Sequence, residues 1–238
     1  MRILALDTTT RAGSVAVVED DRVMAEYSGD PARSHAERLP TDVLRVLERL
    51  ALTPRDIDVF AVASGPGSFT GLRIGIATIQ GLAFVNGRRI VVVSALEALA
   101  QTAAERLPGD TLVGAWMDAH RRDVFSALYR VSGGAPYRPD HLEEIDDAAV
   151  APPDVILNLW RTHFGTPSVI VGDGAVAFAD VIGESSRIVP AAPLAPAIGR
   201  LAVALAERGD AMDPAAVHPL YVRRPDAVVA KEAQKVPR

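Results

Sequence analysis

The chain has 238 residues, 49% of them apolar, and a formal charge of −5, enough to bury one large core or two small ones. The lack of cysteine removes disulfides, thiolate metal sites and a cysteine nucleophile, and the acidic balance gives no support for stand-alone nucleic-acid binding, which shows a basic footprint. The N-terminal apolar run meets Asp7 too early for a signal peptide, and no uncharged run approaches the roughly 18 residues of a membrane span, so a soluble, cytoplasmic protein is expected.

In chain order, residues 3–6 read as a buried strand, and 14–18 with 22–27 as a hairpin about the Glu19-Asp20-Asp21 turn. Ser34-His35-Ala36-Glu37 is a capping-box pattern. The helix it opens carries Leu39, Val43, Val46, Leu47 and Leu50 at helical spacing, and Pro40 fits if the regular helix starts only a residue or two before it. A strand at 59–63 follows, then a glycine-rich loop, an uncharged helix over 74–86 and a strand at 90–93. The order is β-β-β-α-β-α-β.

The second half replays this order. Residues 111–117 and 123–129 read as strands, and a stretch rich in Pro and Gly to 153 reads as irregular. A helix at 154–164, a strand at 168–171, a helix at 175–182, a short strand at 187–189 and an amphipathic helix at 196–208 follow. Asp118 ends its strand as Asp7 ends its own, 111 residues earlier, and Gly172-Asp173-Gly174 follows its strand as Gly65-Pro66-Gly67 does, 107 residues earlier. An internal duplication is expected: a first lobe at 1–108, a smaller second lobe at 109–225 whose last helix returns to the first, and a frayed tail at 226–238.

The glycine loop, Ser64-Gly65-Pro66-Gly67-Ser68-Phe69-Thr70-Gly71-Leu72-Arg73-Ile74-Gly75, lies between a buried strand and a helix, where backbone N–H groups can receive an anion. The following helix is apolar all round and should be covered all round. Its glycines Gly71, Gly75 and Gly81 cost about 0.8–1 kcal/mol each relative to alanine in a helix interior, which close approach by another element would offset. Spacing leaves two covers open: the chain's own core, or a second molecule. The five histidines are never closer than 21 residues apart, so no helical metal-binding pair exists; His35 and His218 read as surface or capping residues. No Gly-x-Ser-x-Gly elbow is present, and Ser68 reads as an N-cap. Asp118-Ala119-His120-Arg121-Arg122-Asp123, the counterpart of the Asp7 turn, has neither Gly nor Ser/Thr, which argues against a working pair of phosphate turns.

A duplicated lobe with Asp-x-Thr after its first strand resembles the actin/Hsp70/sugar-kinase superfamily, a two-lobed α/β (ASKHA) fold with a mixed sheet in each lobe. Residues 3–9, Ser34-His35-Ala36-Glu37-Arg38-Leu39, the glycine loop, Met117-Asp118-Ala119-His120-Arg121 and Pro219-Leu220-Tyr221-Val222-Arg223 come in the order seen in the TsaB family of tRNA threonylcarbamoyladenosine biosynthesis proteins. The resemblance runs to about residue 227. It implies a non-catalytic partner of the related TsaD, which transfers a threonylcarbamoyl group to the adenosine next to the anticodon, with the ATPase TsaE in the same complex. It also implies homodimers when the chain is alone, and tRNA contact mainly through the complex. No cofactor or metal is required on this reading. A vestigial, weak adenine-nucleotide site would involve Asp7, Thr8, Thr9, Gly172, Asp173 and Gly174. Family helix pairing would make Leu39, Val43, Val46, Leu47, Leu50, Leu72, Gly75, Ile76, Ile79, Leu82 and Ala83 a partner interface. The rivals are a small ATP-dependent kinase or ATPase of the same superfamily, and a metallopeptidase, which lacks its ligand pair.

Overall fold

A computed structural model describes residues 1–222; the expected tail at 226–238 lies outside the described residues. Sheet A contains β1 (Arg2–Asp7), β2 (Ser14–Glu19), β3 (Arg22–Ser28), β4 (Val59–Gly65) and β5 (Arg89–Ser94). Sheet B contains β6 (Leu112–Asp118), β7 (Val124–Val131), β8 (Leu142–Ala151), β9 (Val169–Val171) and β10 (Arg187–Val189). The helices are α1 (His35–Glu48), α2 (Phe69–Asn86), α3 (Ala95–Ala104), α4 (Pro153–His163), α5 (Asp173–Ala177), α6 (Ala179–Ile182) and α7 (Ala195–Glu207).

The spatial orders β3-β2-β1-β4-β5 and β8-β7-β6-β9-β10 are one topology repeated. In each sheet the first strand pairs antiparallel with the second and parallel with the fourth. This is the duplicated actin-like architecture. The central strands are apolar on both faces because both faces are covered. Along β1, Ile3 and Ala5 face a middle layer formed by α3 and α7, while Leu4 and Leu6 face α1 and α2. Beyond sheet B, Trp116 and Trp160 pack together at 6.0 Å beneath α4 to α6. The middle layer joins the sheets in one core: α7 rests on β1, β2, β4 and β5, and α3 on β6, β7 and β9.

A clamp closes the molecule at the edge where β1 and β6 begin. Arg200 of α7 lies 3.7 Å over the Tyr137 ring and donates two bonds to Asp21, at 3.0 and 3.1 Å. Tyr137 N donates to Gln101 Oε1 of α3 at 3.0 Å. The β7–β8 loop, the β2–β3 turn and both middle helices are thereby tied together.

The structure corrects several elements. The stretch before 153 is not irregular but contains β8, an edge strand whose period is broken by register shifts against β7 and which exposes Glu143, Glu144 and Asp147. Helix α3, absent from the sequence reading, has seven buried residues because it lies between two sheets, which erases amphipathic spacing. The single helix expected at 175–182 is two, interrupted at Phe178. Helix α1 begins five residues before Pro40, with the Ser34–Glu37 capping box in place. Helix α2 begins at Phe69 and includes Arg73, with Ser68 Oγ accepting from Gly71 N at 3.2 Å. Among the described residues no helix is long and apolar enough to cross a membrane.

Two glycines of α2 have opposite surroundings. A Cβ at Gly75 would collide with the Thr8 side chain, whereas one at Gly81 would meet nothing within 4 Å. Gly75→Ala should therefore lower stability by about 1–3 kcal/mol through overpacking, while Gly81→Ala should raise it by about 0.8–1 kcal/mol through helix propensity. Denaturant unfolding of the two variants checks both signs.

Candidate functional site

The turn after β1 holds the expected nucleotide residues Asp7, Thr8 and Thr9, all at least nine-tenths buried. The Asp7 carboxylate accepts bonds from Thr9 N (2.8 Å), Thr9 Oγ1 (2.5 Å) and Thr10 Oγ1 (3.0 Å). Burial raises the Asp7 pKa above the usual carboxylate range, and these hydrogen bonds oppose the shift without cancelling it. Three N–H groups beside the turn are engaged at home: Thr9 N on Asp7, Gly13 N on Thr10 Oγ1 at 3.1 Å, and Ser68 N on Thr9 O at 3.0 Å. As arranged, the turn fits a phosphate poorly.

Helix α1 pins this turn from outside. Arg38 donates to Asp42 Oδ2 at 2.7 Å, to the Ala12 carbonyl and to His35 Nδ1 at 2.9 Å, and His35 Nε2 donates to Thr10 O at 3.0 Å. Burial, then the Arg38 charge, holds His35 below its ordinary range, so the ring is neutral at pH 7. His35 is therefore no surface or capping residue, as its position after Ser34 suggested. It is a buried brace, and the only sequence sign of it is its place three residues before Arg38, on the same helix face. His218 is exposed, as expected.

In sheet B, Asp173 Oδ1 accepts from Asp118 N at 3.0 Å and from Gly174 N at 2.9 Å. Gly172 and Gly174 press on the Trp116–Asp118 backbone so closely that a Cβ at either would clash. The three expected residues thus brace the end of β6, as Asp7 to Thr9 brace the end of β1. Between Asp118 and Asp123, His120, Arg121 and Arg122 all take left-handed φ, at 58°, 56° and 69°, a conformation that costs non-glycine residues energy. Among the described residues no group of three or more His, Asp or Glu is placed to hold a metal ion.

The expected partner residues divide sharply. Leu39, Val43, Val46, Leu47, Leu72, Ile76, Ile79 and Ala83 are each no more than 4% exposed. They face the chain's own interior: α1 and α2 lie side by side on sheet A and turn these residues toward it. Gly75 faces Thr8. Their assignment to a surface is corrected, because helical spacing marks a buried stripe without saying what buries it. Leu50 and Leu82 are half-buried. The opposite side of α2, which all-round apolarity predicted to be covered, is left open by the described residues: Ala77 and Gly81 are exposed, and Phe84 and Val85 stand 79% and 81% exposed. An open groove of about 710 Å3 runs along it, lined by Pro54, Arg55, Ala77, Gly81, Leu82 and Val85.

These features can be set beside known proteins. The sequence profile of TsaD, tRNA N6-adenosine threonylcarbamoyltransferase, matches residues 22–151. The tRNA threonylcarbamoyladenosine biosynthesis protein TsaB of Escherichia coli is 37% identical over 188 residues, 79% of this chain and 78% of that protein. The chain belongs to the TsaB family. An uncharacterized protein of Mycobacterium tuberculosis, Rv3421c, is 36% identical over 94% of this chain and 93% of its own length. A crystal structure of a Pseudomonas aeruginosa protein with similarity to peptidase YeaZ superposes with a TM-score of 0.78 at 29% identity, covering 93% of this chain and 99% of that one.

The raised Asp7 pKa has a measurable sign. Protonation favours the folded state, so stability falls as pH rises from the ordinary carboxylate range through the folded pKa. Asp7→Asn removes this titration. The variant should gain stability relative to the parent as pH rises toward 7, and the gap should narrow on acidification to about pH 4; thermal unfolding across that range reads it. A gap of constant size at every pH would show that Asp7 is not destabilised by ionisation.

Proposed function

We propose that this member of the TsaB family is a non-catalytic subunit that supports a TsaD-like transferase in placing a threonylcarbamoyl group on the adenosine next to the anticodon of tRNA. The chain docks its partner through the open side of α2, and a TsaE-like ATPase acts in the same complex. Alone, the chain uses that side to pair with a second copy. The observation that carries this reading is the open row Ala77, Gly81, Phe84 and Val85 on a helix of 18 residues whose only charge is Arg73. Gly81 is the sharper part of it. Among the described residues nothing approaches Gly81, so its helix-propensity cost of about 1 kcal/mol is offset only if another backbone comes close there.

A supporting rather than catalytic role agrees with the Asp7 turn, where the carboxylate is engaged by Thr9 and Thr10 and Gly13 N by Thr10 Oγ1. Any adenine-nucleotide binding by the chain alone is weak on this reading, because phosphate would have to displace those bonds. No metal or other cofactor is needed by this chain. The transferase carries the chemistry, and this chain supplies a fixed surface.

The test uses charge on the open side. A carboxylate buried unpaired in an interface costs several kcal/mol, but on an exposed helix face it leaves the monomer folded. Ala77→Asp and Val85→Asp should keep the parent's circular dichroism and melting temperature while losing self-association in sedimentation, capture of the TsaD-like partner and support of tRNA modification. Ile79→Asp, in the core, should unfold the chain. If both exposed variants associate and support modification like the parent, the docking face lies elsewhere. Gly81→Ala adds a second arm: the monomer becomes more stable while association weakens.

A further inference from the structure

A cleft separates the last turn of α3 from β10, the outermost strand of sheet B. It encloses about 420 Å3, within the roughly 300–1,000 Å3 that small-molecule sites occupy. Its apolar lining is Ala103, Leu107 and Val189, the half-buried fringe of the shared core. Its charge comes from both walls. Arg106 follows the end of α3 and Arg187 opens β10, so each wall supplies one guanidinium.

Among the described residues, the side chains of Arg106 and Arg187 make no hydrogen bond and no ion pair. In a chain of formal charge −5 carboxylates are plentiful, yet none is set against these two cations. The carboxylate that does line the cleft, Glu105, has its Oε1 3.5 Å from Arg200 Nη1, so its charge is offset by a third arginine. Thr102 Oγ1 donates to the Leu99 carbonyl at 2.7 Å, which leaves its oxygen able to accept from a ligand.

A guanidinium is a planar fork that matches the oxygens of phosphate and carboxylate groups. A concave site with low-dielectric walls concentrates the field of its charges. Two forks on facing elements suit one doubly charged group, or two carboxylates on a short chain. The apolar lining suits a few carbons, and a bare inorganic anion would leave Leu107 and Val189 uncovered. We propose that the cleft between α3 and β10 is a binding site for a small organic dianion with a short apolar body, held between Arg106 and Arg187. The bound anion links the middle layer to an edge strand of only three residues, the strand that leads into α7. The site uses no residue of α2 and does not rest on the function proposed above.

The test is isothermal titration calorimetry of the full chain at neutral pH and fixed ionic strength. The probes are n-propyl phosphate, succinate, inorganic phosphate and uncharged n-propanol. A phosphate monoester and a dicarboxylate share the required chemistry, and the one that binds more tightly names the source. At least one of them should saturate a single site below about 10 mM, more tightly than inorganic phosphate, while propanol does not bind. Arg106→Gln and Arg187→Gln should each weaken that probe at least about tenfold, as loss of charge-assisted hydrogen bonds implies. Arg130→Gln on β7, outside the cleft, should leave binding unchanged. Both cleft arginines are exposed, so their variants should keep the parent's circular dichroism. Hydrogen exchange of the parent adds a readout that needs no variant: the probe should slow exchange in β10 and at the end of α3. The proposal falls if neither organic anion saturates by that concentration, if inorganic phosphate binds as tightly as both, or if protection is confined to other elements. It also falls if Arg130→Gln weakens binding as much as the cleft variants, which would show attraction to overall charge, or if the double variant of Arg106 and Arg187 still binds.

Discussion

Everything in this molecule hangs on one shared apolar layer. Helices α3 and α7 lie between two sheets of the same topology, so Ala5, Ala16, Ala61 and Ala63 of sheet A and Val113, Ala115 and Ala127 of sheet B look onto the same pair of helices. Small residues on the strand faces let the helices come close, and Gly199 of α7 sits so near Val18 that a Cβ would clash. Neither sheet could keep its inner face dry alone. The hydrophobic effect that folds one half thereby orients the other.

That layer positions the two strand-end turns at one edge of the molecule and leaves the opposite edge to be fastened by Arg200, Tyr137 and Asp21. The strand-end turns share a design. Each has an aspartate at or next to the end of the first strand and a glycine-flanked segment pressed against it from the fourth strand's end. In sheet A the aspartate is buried and saturated by threonines; in sheet B Asp118 accepts from His120 N and a second carboxylate, Asp173, braces the strand end. The duplicated frame is preserved while Thr9, Thr10 and Gly13 in one turn, and Asp118 and Gly174 in the other, donate to groups of the fold itself.

Among the described residues, α2 is covered on one side only. Its inner side closes the outer core of sheet A, and its outer side is apolar and open. A helix of that kind is stable within the monomer only because its buried stripe and its contacts with Thr8 hold it in place; the open row adds nothing to the monomer's stability. The two ends of this helix also differ in chemistry. Phe84 and Val85 at its C-terminal end are plain hydrocarbon, while Phe69, Arg73 and the returning Tyr221 at its N-terminal end combine rings with charge. One element thus offers two kinds of surface.

By itself the sequence determined the strands with unbroken apolar runs, the capped α1, the glycine loop ahead of α2 and the order of elements that repeats in both halves. These are local signals, set by period, capping and turn chemistry; the likeness to the TsaB family rested instead on a series of motifs from Asp7 to Arg223. Tertiary structure alone decided the rest. Helix α3 lacks amphipathic spacing because it is covered on two sides, and β8 lacks strand period because it is a bulged, acidic edge. Leu47 and Ile79 share their helices' apolar pattern with residues that do reach the surface, so spacing could not say which side faced the chain's own sheet. His35 and Arg38 became a brace, and Tyr221 met Arg73, only when chain segments far apart in sequence were brought together. Periodicity records that a side chain is to be buried; only the fold specifies against what.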